Sequence, residues 1–270
     1  MNKSKVVLIT GASSGIGRTA AEQLAVRGHR VFGTTRGASR SADDHGIEML
    51  RLDLRDDAAA MSCVNEVVLR AGRIDVLVNN AGYALFGAVE ETSPDEAREL
   101  FDIHVFGALR MIRAVLPAMR GQRAGLIVNM SSVLGFLPAP FMGLYAAAKH
   151  GLEGLSESLD HEVREYGVRV VVIEPDFTST RFGDHTLRTQ QRIAAYAANE
   201  ASAQAALSAN LEKASGPADV AEQIVRAIEG THRMRRPAGG RARLLSLLRR
   251  FMPHAPVDRS IRGVFGLRSR

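Results

Sequence analysis

Residues 5–17 read Lys5-Val6-Val7-Leu8-Ile9-Thr10-Gly11-Ala12-Ser13-Ser14-Gly15-Ile16-Gly17, and this stretch decides the fold. An apolar, β-branched run with the character of a buried strand breaks at a glycine-rich turn. Helical spacing then holds from Ile16 to Arg27, and Gly28 closes the segment as a C-cap glycine does. The glycines follow G-x3-G-x-G, one residue longer in the first gap than the usual dinucleotide fingerprint. The physics is the same in both spacings. Glycines let the backbone turn tightly and approach a pyrophosphate, whose charge is met by free N–H groups at the helix N-terminus. Gly11, Ser13, Ser14, Gly15, Ile16 and Gly17 are therefore candidates for holding a dinucleotide's phosphates.

The same alternation continues outward. Strand-like runs occupy 30–35, 47–52, 74–79, 125–130 and 168–174, and helix-period segments occupy 56–71 and 145–165. Ser93-Pro94-Asp95-Glu96 combines a Ser cap, Pro at the first helical position and acids in the first turn, and predicts a helix running to Arg120 before Gly121. Six nearly all-apolar strands separated by helices predict an α/β fold, a doubly wound parallel sheet of Rossmann type covered on both faces. After Pro175 the alternation fails. Polar turns and an Ala-rich, helical-looking stretch at 194–206 lead to a further helix that opens at Gly216-Pro217-Ala218-Asp219 and ends at Glu229. The expected organisation is one domain, 1–230, with a substrate loop at about 177–215, and a C-terminal extension, 231–270.

With 46% hydrophobic residues over 270, the chain is long and apolar enough to bury a core, which excludes disorder over most of its length. The single cysteine, Cys63, rules out an intrachain disulfide and points to a reducing, cytoplasmic setting. No apolar run approaches the length of a membrane span, and the run from Val6 to Ile9 is too short for a signal peptide. The formal charge of +6 is unevenly spread: 231–270 holds eleven arginines against Asp258 alone, so the rest of the chain is mildly acidic. A basic tail on an acidic body argues against a general nucleic-acid surface, and no nucleic-acid partner or metal is expected.

Where an NAD site usually places an acid, at the end of the second strand, this sequence has Thr34-Thr35-Arg36. A guanidinium there suits a 2′-phosphate, so NADP(H) is favoured over NAD(H), with Ser13 able to assist. Further along, Tyr145 and Lys149 lie four residues apart at a helix start, on one face. A neighbouring ammonium favours a phenolate and predicts a Tyr145 pKa below the usual value of about 10. Ser131 and Ser132 end the preceding strand, on the sheet edge where open α/β folds bind ligands.

Together these residues resemble the short-chain dehydrogenase/reductase family, over 5–230. The resemblance rests on 10–17, Asp53, Asn79-Asn80-Ala81-Gly82, Ser132, Tyr145 with Lys149, and Pro175 through Thr180. It implies that Ser132, rather than Ser131, joins Tyr145 and Lys149 in catalysis. It implies Asp53 near the adenine, with Leu54 beside it in the cofactor site, and Asn79, Ala81 and Gly82 along the ribose. It further implies Pro175 in the cofactor site, with Thr178 and Thr180 near the nicotinamide carboxamide. It also implies a homodimer or homotetramer. Two positions depart from the family: His104 stands where an Asn is usual, and Asp176 follows Pro175 where a Gly is usual. The Asn is held to bend its helix and anchor a water of the proton relay. His104, titrating near pH 6.5 when unperturbed, would change the pH profile of that relay or reroute it.

The segments 83–89 and 134–144 offer Leu85, Phe86, Leu134, Phe136, Leu137, Phe141, Met142 and Leu144 as pocket walls, with no charge for a carboxylate or phosphate. They predict a lipophilic ketone or secondary alcohol as substrate: steroid-, retinoid- or aldehyde-like. Two other readings stand beside hydride transfer to such a substrate. One is a 3-oxoacyl-thioester reductase, whose acidic carrier protein would meet the arginines; the other is a non-catalytic NADP-binding regulator. In the tail, 241–252 as a helix gathers Leu244, Leu245, Leu247, Leu248, Phe251 and Met252 on one side and Arg243, Ser246, Arg249 and Arg250 on the other, with Pro253 and Pro256 as stops. Such a helix can lie on an anionic membrane surface as a peripheral contact, fold over the pocket as a lid, or meet a second subunit.

Overall fold

The apolar runs stack side by side into one parallel sheet in the computed structural model, which describes residues 4–38, 41–179 and 186–267. In chain order the elements are β1 (Val6–Ile9), α1 (Gly15–Val26), β2 (Arg30–Thr35), β3 (Glu48–Arg51), α2 (Asp57–Ala71), β4 (Val76–Asn79) and a short β5 (Leu85–Phe86). Then follow α3 (Pro94–Phe101), α4 (Gly107–Gln122), β6 (Gly125–Met130), α5 (Gly143–Val163), β7 (Val168–Pro175) and a short β8 (Leu187–Arg188). The chain closes with α6 (Ala197–Glu212), α7 (Ala218–Glu229), β9 (Arg235–Ala238), α8 (Ala242–Phe251) and α9 (His254–Val264).

The sheet order is β3-β2-β1-β4-β6-β7-β9. Every pairing in it is parallel. Each crossover therefore has to pass over a face, and the helices cover both faces. Ala20, Ala21 and Leu24 of α1 and Val220, Ile224 and Val225 of α7 pack on one face. Cys63, Val64 and Val67 of α2, Met111 and Val115 of α4, and Leu159 and Val163 of α5 pack on the other. Burial pushes the Cys63 thiol up to about 12, so this cysteine is a core residue. Strand order reverses between β1 and β4, which opens the crevice at their C-terminal ends.

Helix ends follow the capping chemistry of the sequence. The Asp56 side chain accepts from the N–H groups of Ala58 and Ala59, and Ser93 forms a capping box with Glu96. The predicted helix from Ser93 to Arg120 is one rod with a fault in it: Asp102–Phe106 forms a π-helical turn between α3 and α4. His104 sits in that turn and is buried. The rod ends at Arg123 in the left-handed region, two residues past Gly121.

Two expectations about the tail are corrected. The sheet has a seventh strand, β9, drawn from residues read as an extension beyond 230; it pairs with β7 through Val172↔Arg235 to Pro175↔Ala238. Its sequence, Arg-Arg-Pro-Ala, lacks an apolar run because an edge strand is covered on fewer sides, and an edge is also where Pro237 is tolerated. Pro253 ends α8, but Pro256 ends nothing: it lies in the first turn of α9, where a missing N–H breaks no intrahelical bond.

Candidate active site

The ends of β1, β4, β6 and β7 deliver the candidate residues to one edge of the sheet. After β1, Gly11 and Gly15 hold φ of 67° and 57°. A Cβ at Gly11 would stand 2.9 Å from the Ala81 Cα, and one at Gly17 would run into the Asn80 amide and the Gly11 carbonyl. Asn80 Nδ2 donates to the Thr10 carbonyl at 2.9 Å, and the N–H groups of Asn80 and Ala81 donate to Thr10 Oγ1 at 2.9 and 3.1 Å. The turns after β1 and β4 are thus locked together. Ser14, the N-cap of α1, makes no side-chain cap bond, and the first helical turn carries no acid. Open N–H donors, a helix N-terminus and a turn with no room for a Cβ fit a dinucleotide's phosphates.

Around this turn, Ser13 is exposed and Ile16 half-buried. Arg36 is exposed just beyond β2 and close enough to Asp53 to act on its charge. The Asp53 carboxylate is occupied by Arg55, through its N–H at 3.0 Å and Nη2 at 2.7 Å, and these bonds hold it down to about 2. Leu54 is buried against Gly107.

Tyr145 and Lys149 lie in the first two turns of α5, both buried, with the Lys149 Nζ 5.6 Å from the Tyr145 ring centroid. Lys149 Nζ donates to the Met130 carbonyl at 2.7 Å. Ser132 is hydrogen-bonded to the Tyr145 hydroxyl, and its Oγ accepts the Leu134 N–H at 3.1 Å. Ser131 turns the other way and donates to Glu153 Oε1 at 2.5 Å. The structure therefore brings Ser132, Tyr145 and Lys149 together and leaves Ser131 in a supporting position.

The titration of this pair differs from the sequence expectation. Burial pushes the Tyr145 phenol above the ordinary tyrosine range, with the Ser132 bond opposing it only in part. Burial also pushes Lys149 down to about 7, against the pull of Glu153. The desolvation of a phenolate outweighs the Ser132 bond, and sequence spacing does not reveal the burial. His104 Nε2 donates to the Tyr83 carbonyl at 2.6 Å, and its ring stands edge-on to Tyr145 with centroids 5.4 Å apart. Burial, then the Lys149 charge, hold it well below 6.5, so it is a neutral ring near pH 7 and brings no titration of its own there. Between His104, Lys149 and Asn79 lies a cavity of about 10 Å³, the space of one water. Asn79 donates to Asn129 Oδ1 at 2.9 Å, while its own buried Oδ1 has no partner among the described residues. Gly82 is pressed against the His104 ring.

Behind the pair is a charge cluster that sequence reading missed. Glu153, one turn after Lys149, accepts from Arg235 of β9 at 2.5 Å, and the same Nη1 reaches Glu174 at 2.5 Å. Both carboxylates are buried; burial and then Glu153 push Glu174 up to about 7. The i, i+4 spacing of Glu153 after Lys149 is the signal that could have found it.

At the end of β7, Asp176 gains a structural role. Its N–H donates to the Ala238 carbonyl at 3.0 Å, and its Oδ2 accepts the Arg241 N–H at 2.9 Å at the start of α8. The carboxylate stands where the family has a glycine and ties the site to the tail. Thr178 donates to the Asp176 carbonyl at 2.9 Å, and Pro175 closes β7; Thr180 lies outside the described residues.

Apolar side chains surround Tyr145: Phe86, Met142 and Ala139, partly buried Leu134, Phe141 and Leu144, and Phe265 just beyond α9. Leu137 is buried as well. Phe265 was not anticipated, although Ile261, Val264 and Phe265 have helical spacing and share this cluster. The described part of the substrate loop is clamped beside it. β8 pairs with β5, the Gln190 N–H donates to Glu96 at 2.9 Å, and the Ile193 N–H donates to Glu91 at 2.7 Å.

A family model described as short chain dehydrogenase matches residues 5–192. A curated relative named 3-ketodihydrosphingosine reductase, from Bacteroides thetaiotaomicron, is 38% identical over 181 residues, 67% of this chain and 66% of its own. The match thus spans just under two thirds of that relative's length. A crystal structure of a short-chain dehydrogenase from Streptomyces avermitilis is 34% identical, with a TM-score of 0.82 over 98% of this chain and 97% of its own. A short chain dehydrogenase/reductase from Burkholderia phymatum, solved in complex with NAD, is 28% identical, with a TM-score of 0.72 over 84% of this chain and 86% of its own.

The cluster behind Lys149 gives a stability prediction. Arg235→Met leaves Glu153 and Glu174 buried without their cation. Because Arg235 is itself 38% exposed, the cost is set below that of a fully buried pair, at about 2 kcal/mol in urea unfolding at pH 7. Adding Glu174→Gln recovers part of the loss. A loss within about 0.5 kcal/mol, the range of an ordinary surface change, contradicts the role assigned to Arg235.

Proposed function

The chain belongs to the short-chain dehydrogenase family, and from that premise we propose that it transfers hydride between NADP(H) and a lipophilic ketone or secondary alcohol. The observation that carries this reading is a Tyr145 hydroxyl bonded to Ser132, one turn from a buried Lys149, inside a cluster of apolar side chains. The relative named for reducing a keto group on dihydrosphingosine, a lipid, supports the same substrate chemistry.

The turn from Gly11 to Gly17 and the N-terminus of α1 would hold the pyrophosphate, and Arg36 the 2′-phosphate, with Asn79, Ala81, Gly82 and Pro175 along the rest of the molecule. The nicotinamide supplies or accepts the hydride when bound. Ser132 and the Tyr145 hydroxyl hold the substrate oxygen between them. A phenol kept protonated by burial is the form that gives its proton to a ketone oxygen as the new C–H bond forms. Lys149, pushed to about 7, faces the phenolate left behind and carries a proton that can be returned to it. Apolar walls bind the remainder of the substrate and exclude water.

Arg36 is the support for NADP(H), against the NAD held by the related Burkholderia phymatum protein. Exchanging Arg36 for Asp removes a charge-assisted bond to phosphate and adds repulsion, so the ratio of kcat/KM for NADPH over NADH falls about tenfold or more. An unchanged ratio contradicts the cofactor assignment. Tyr145→Phe lowers NADPH-dependent reduction of lipophilic ketones by about a thousandfold, while NADPH fluorescence titration shows binding retained. If wild type and Tyr145→Phe are equally inert across the ketones while both bind NADPH, the protein is a regulator. Faster turnover of 3-oxoacyl thioesters than of every free ketone makes it an acyl-thioester reductase instead.

A further inference from the structure

Helix α8 is mounted with its apolar side facing outward. Ala242 is fully buried and Leu245 and Ser246 half-buried, and these three seat the helix. Leu244, Leu247, Leu248 and Phe251 lie on the opposite side, 53%, 52%, 38% and 76% exposed. This inverts the usual mounting of an amphipathic helix on a globular domain, where the apolar stripe faces the core. The orientation is fixed by bonds at both ends: Asp176 Oδ2 accepts the Arg241 N–H at 2.9 Å, and Arg249 Nε donates to the Phe136 carbonyl at 3.3 Å.

We propose that α8 is an interfacial helix that docks this protein on an anionic lipid surface, its four apolar side chains entering the acyl region and its arginines meeting the head groups. Charge complementarity selects this occupant. Arg241 and Arg243 are exposed, and neither forms an ion pair among the described residues. Residues 231–270, which contain α8, hold eleven arginines against one acid, so the tail is attracted to an anionic surface from a distance. A second copy docked face to face on α8 would set these arginines against their own counterparts, because a two-fold interface opposes like surfaces. Among the described residues no helix is long and apolar enough to cross a membrane, so the attachment is peripheral.

The position of α8 gives the docking a use, and this part rests on the lipophilic-substrate reading. The helix lies against the turn Val133–Gly135, directly after Ser132, and α9 beyond it leads to Phe265 in the cluster around Tyr145. A bilayer under α8 lies on the side of the apolar cluster around Tyr145, in the phase where a lipophilic ketone concentrates.

The test is co-sedimentation of the full chain with phosphatidylcholine vesicles, with and without roughly one third phosphatidylserine. The expected result is binding to the anionic vesicles at least about tenfold stronger than to the neutral ones, reduced by high salt. The triple variant Leu244→Ser/Leu247→Ser/Leu248→Ser loses that binding, and Arg243→Glu weakens it, while both keep wild-type NADPH affinity as a check on folding. Absence of sedimentation with either vesicle overturns the proposal. So does a triple variant that sediments like wild type, or sedimentation equilibrium showing that the triple variant splits a dimer that binds no lipid. Vesicle binding is read without turnover, so its failure leaves the hydride-transfer reading standing, and an inert enzyme that binds vesicles leaves the docking standing.

Discussion

The interaction on which the rest depends is the burial of the Lys149 ammonium beside the Tyr145 ring. An ammonium out of water has to find its compensation inside the protein, and here one carbonyl, that of Met130, takes a hydrogen bond from it. The remaining compensation comes from the charge of Glu153, one helical turn further along α5. Glu153 is itself buried and is stabilised by Ser131 and by Arg235. Arg235 stands on β9, which belongs to the arginine-rich tail. The ammonium is thus supported through Glu153 and Arg235, a path that reaches to the other end of the sequence.

The parallel sheet makes this possible, because it collects the carboxyl ends of distant strands on one edge. β6 leads into Ser131 and Ser132, with one serine turned to the carboxylate and the other to the phenol. β7 leads into Asp176, whose carboxylate accepts from the N–H of Arg241 as the chain enters α8. Family members carry a glycine there; this protein uses the position to fasten its tail against the site. The tail also leads to Phe265, within the apolar cluster around Tyr145. Its basic residues serve two surroundings: Arg235 works inward on buried carboxylates, and Arg241 and Arg243 stand outward.

Most of the sheet was legible in the sequence because strands covered on both faces are largely apolar, as Val6–Ile9 is throughout. β9 was not, since Arg235–Ala238 is an edge and follows no apolar pattern. The π-helical turn at His104 was hidden for a different reason: one inserted residue barely disturbs a 3.6-residue pattern within a long helical stretch. The meeting of Tyr145 and Lys149 with a serine after β6 follows from strand end and helix spacing, whereas the choice of Ser132 over Ser131 came from the family resemblance. The direction of the Tyr145 shift does not, because burial depends on α9 and the clamped loop, which are far away in sequence. Arg36 at the end of β2 was equally readable, whereas the pairing of Asp53 with Arg55 required side-chain geometry.

If the buried ammonium is the centre of the account, its proton affinity has to depend on Glu153 and has to limit ketone reduction. Lys149 is pushed down to about 7, so wild-type kcat/KM for NADPH-dependent ketone reduction falls as pH rises through that region. Glu153 opposes the push, so removing its charge lowers the affinity further. The pH profile of Glu153→Gln beside wild type is the direct measurement. The account predicts that the alkaline limb moves to lower pH while the rate on the acid side is largely kept. A limb that stays in place, or moves to higher pH, contradicts it.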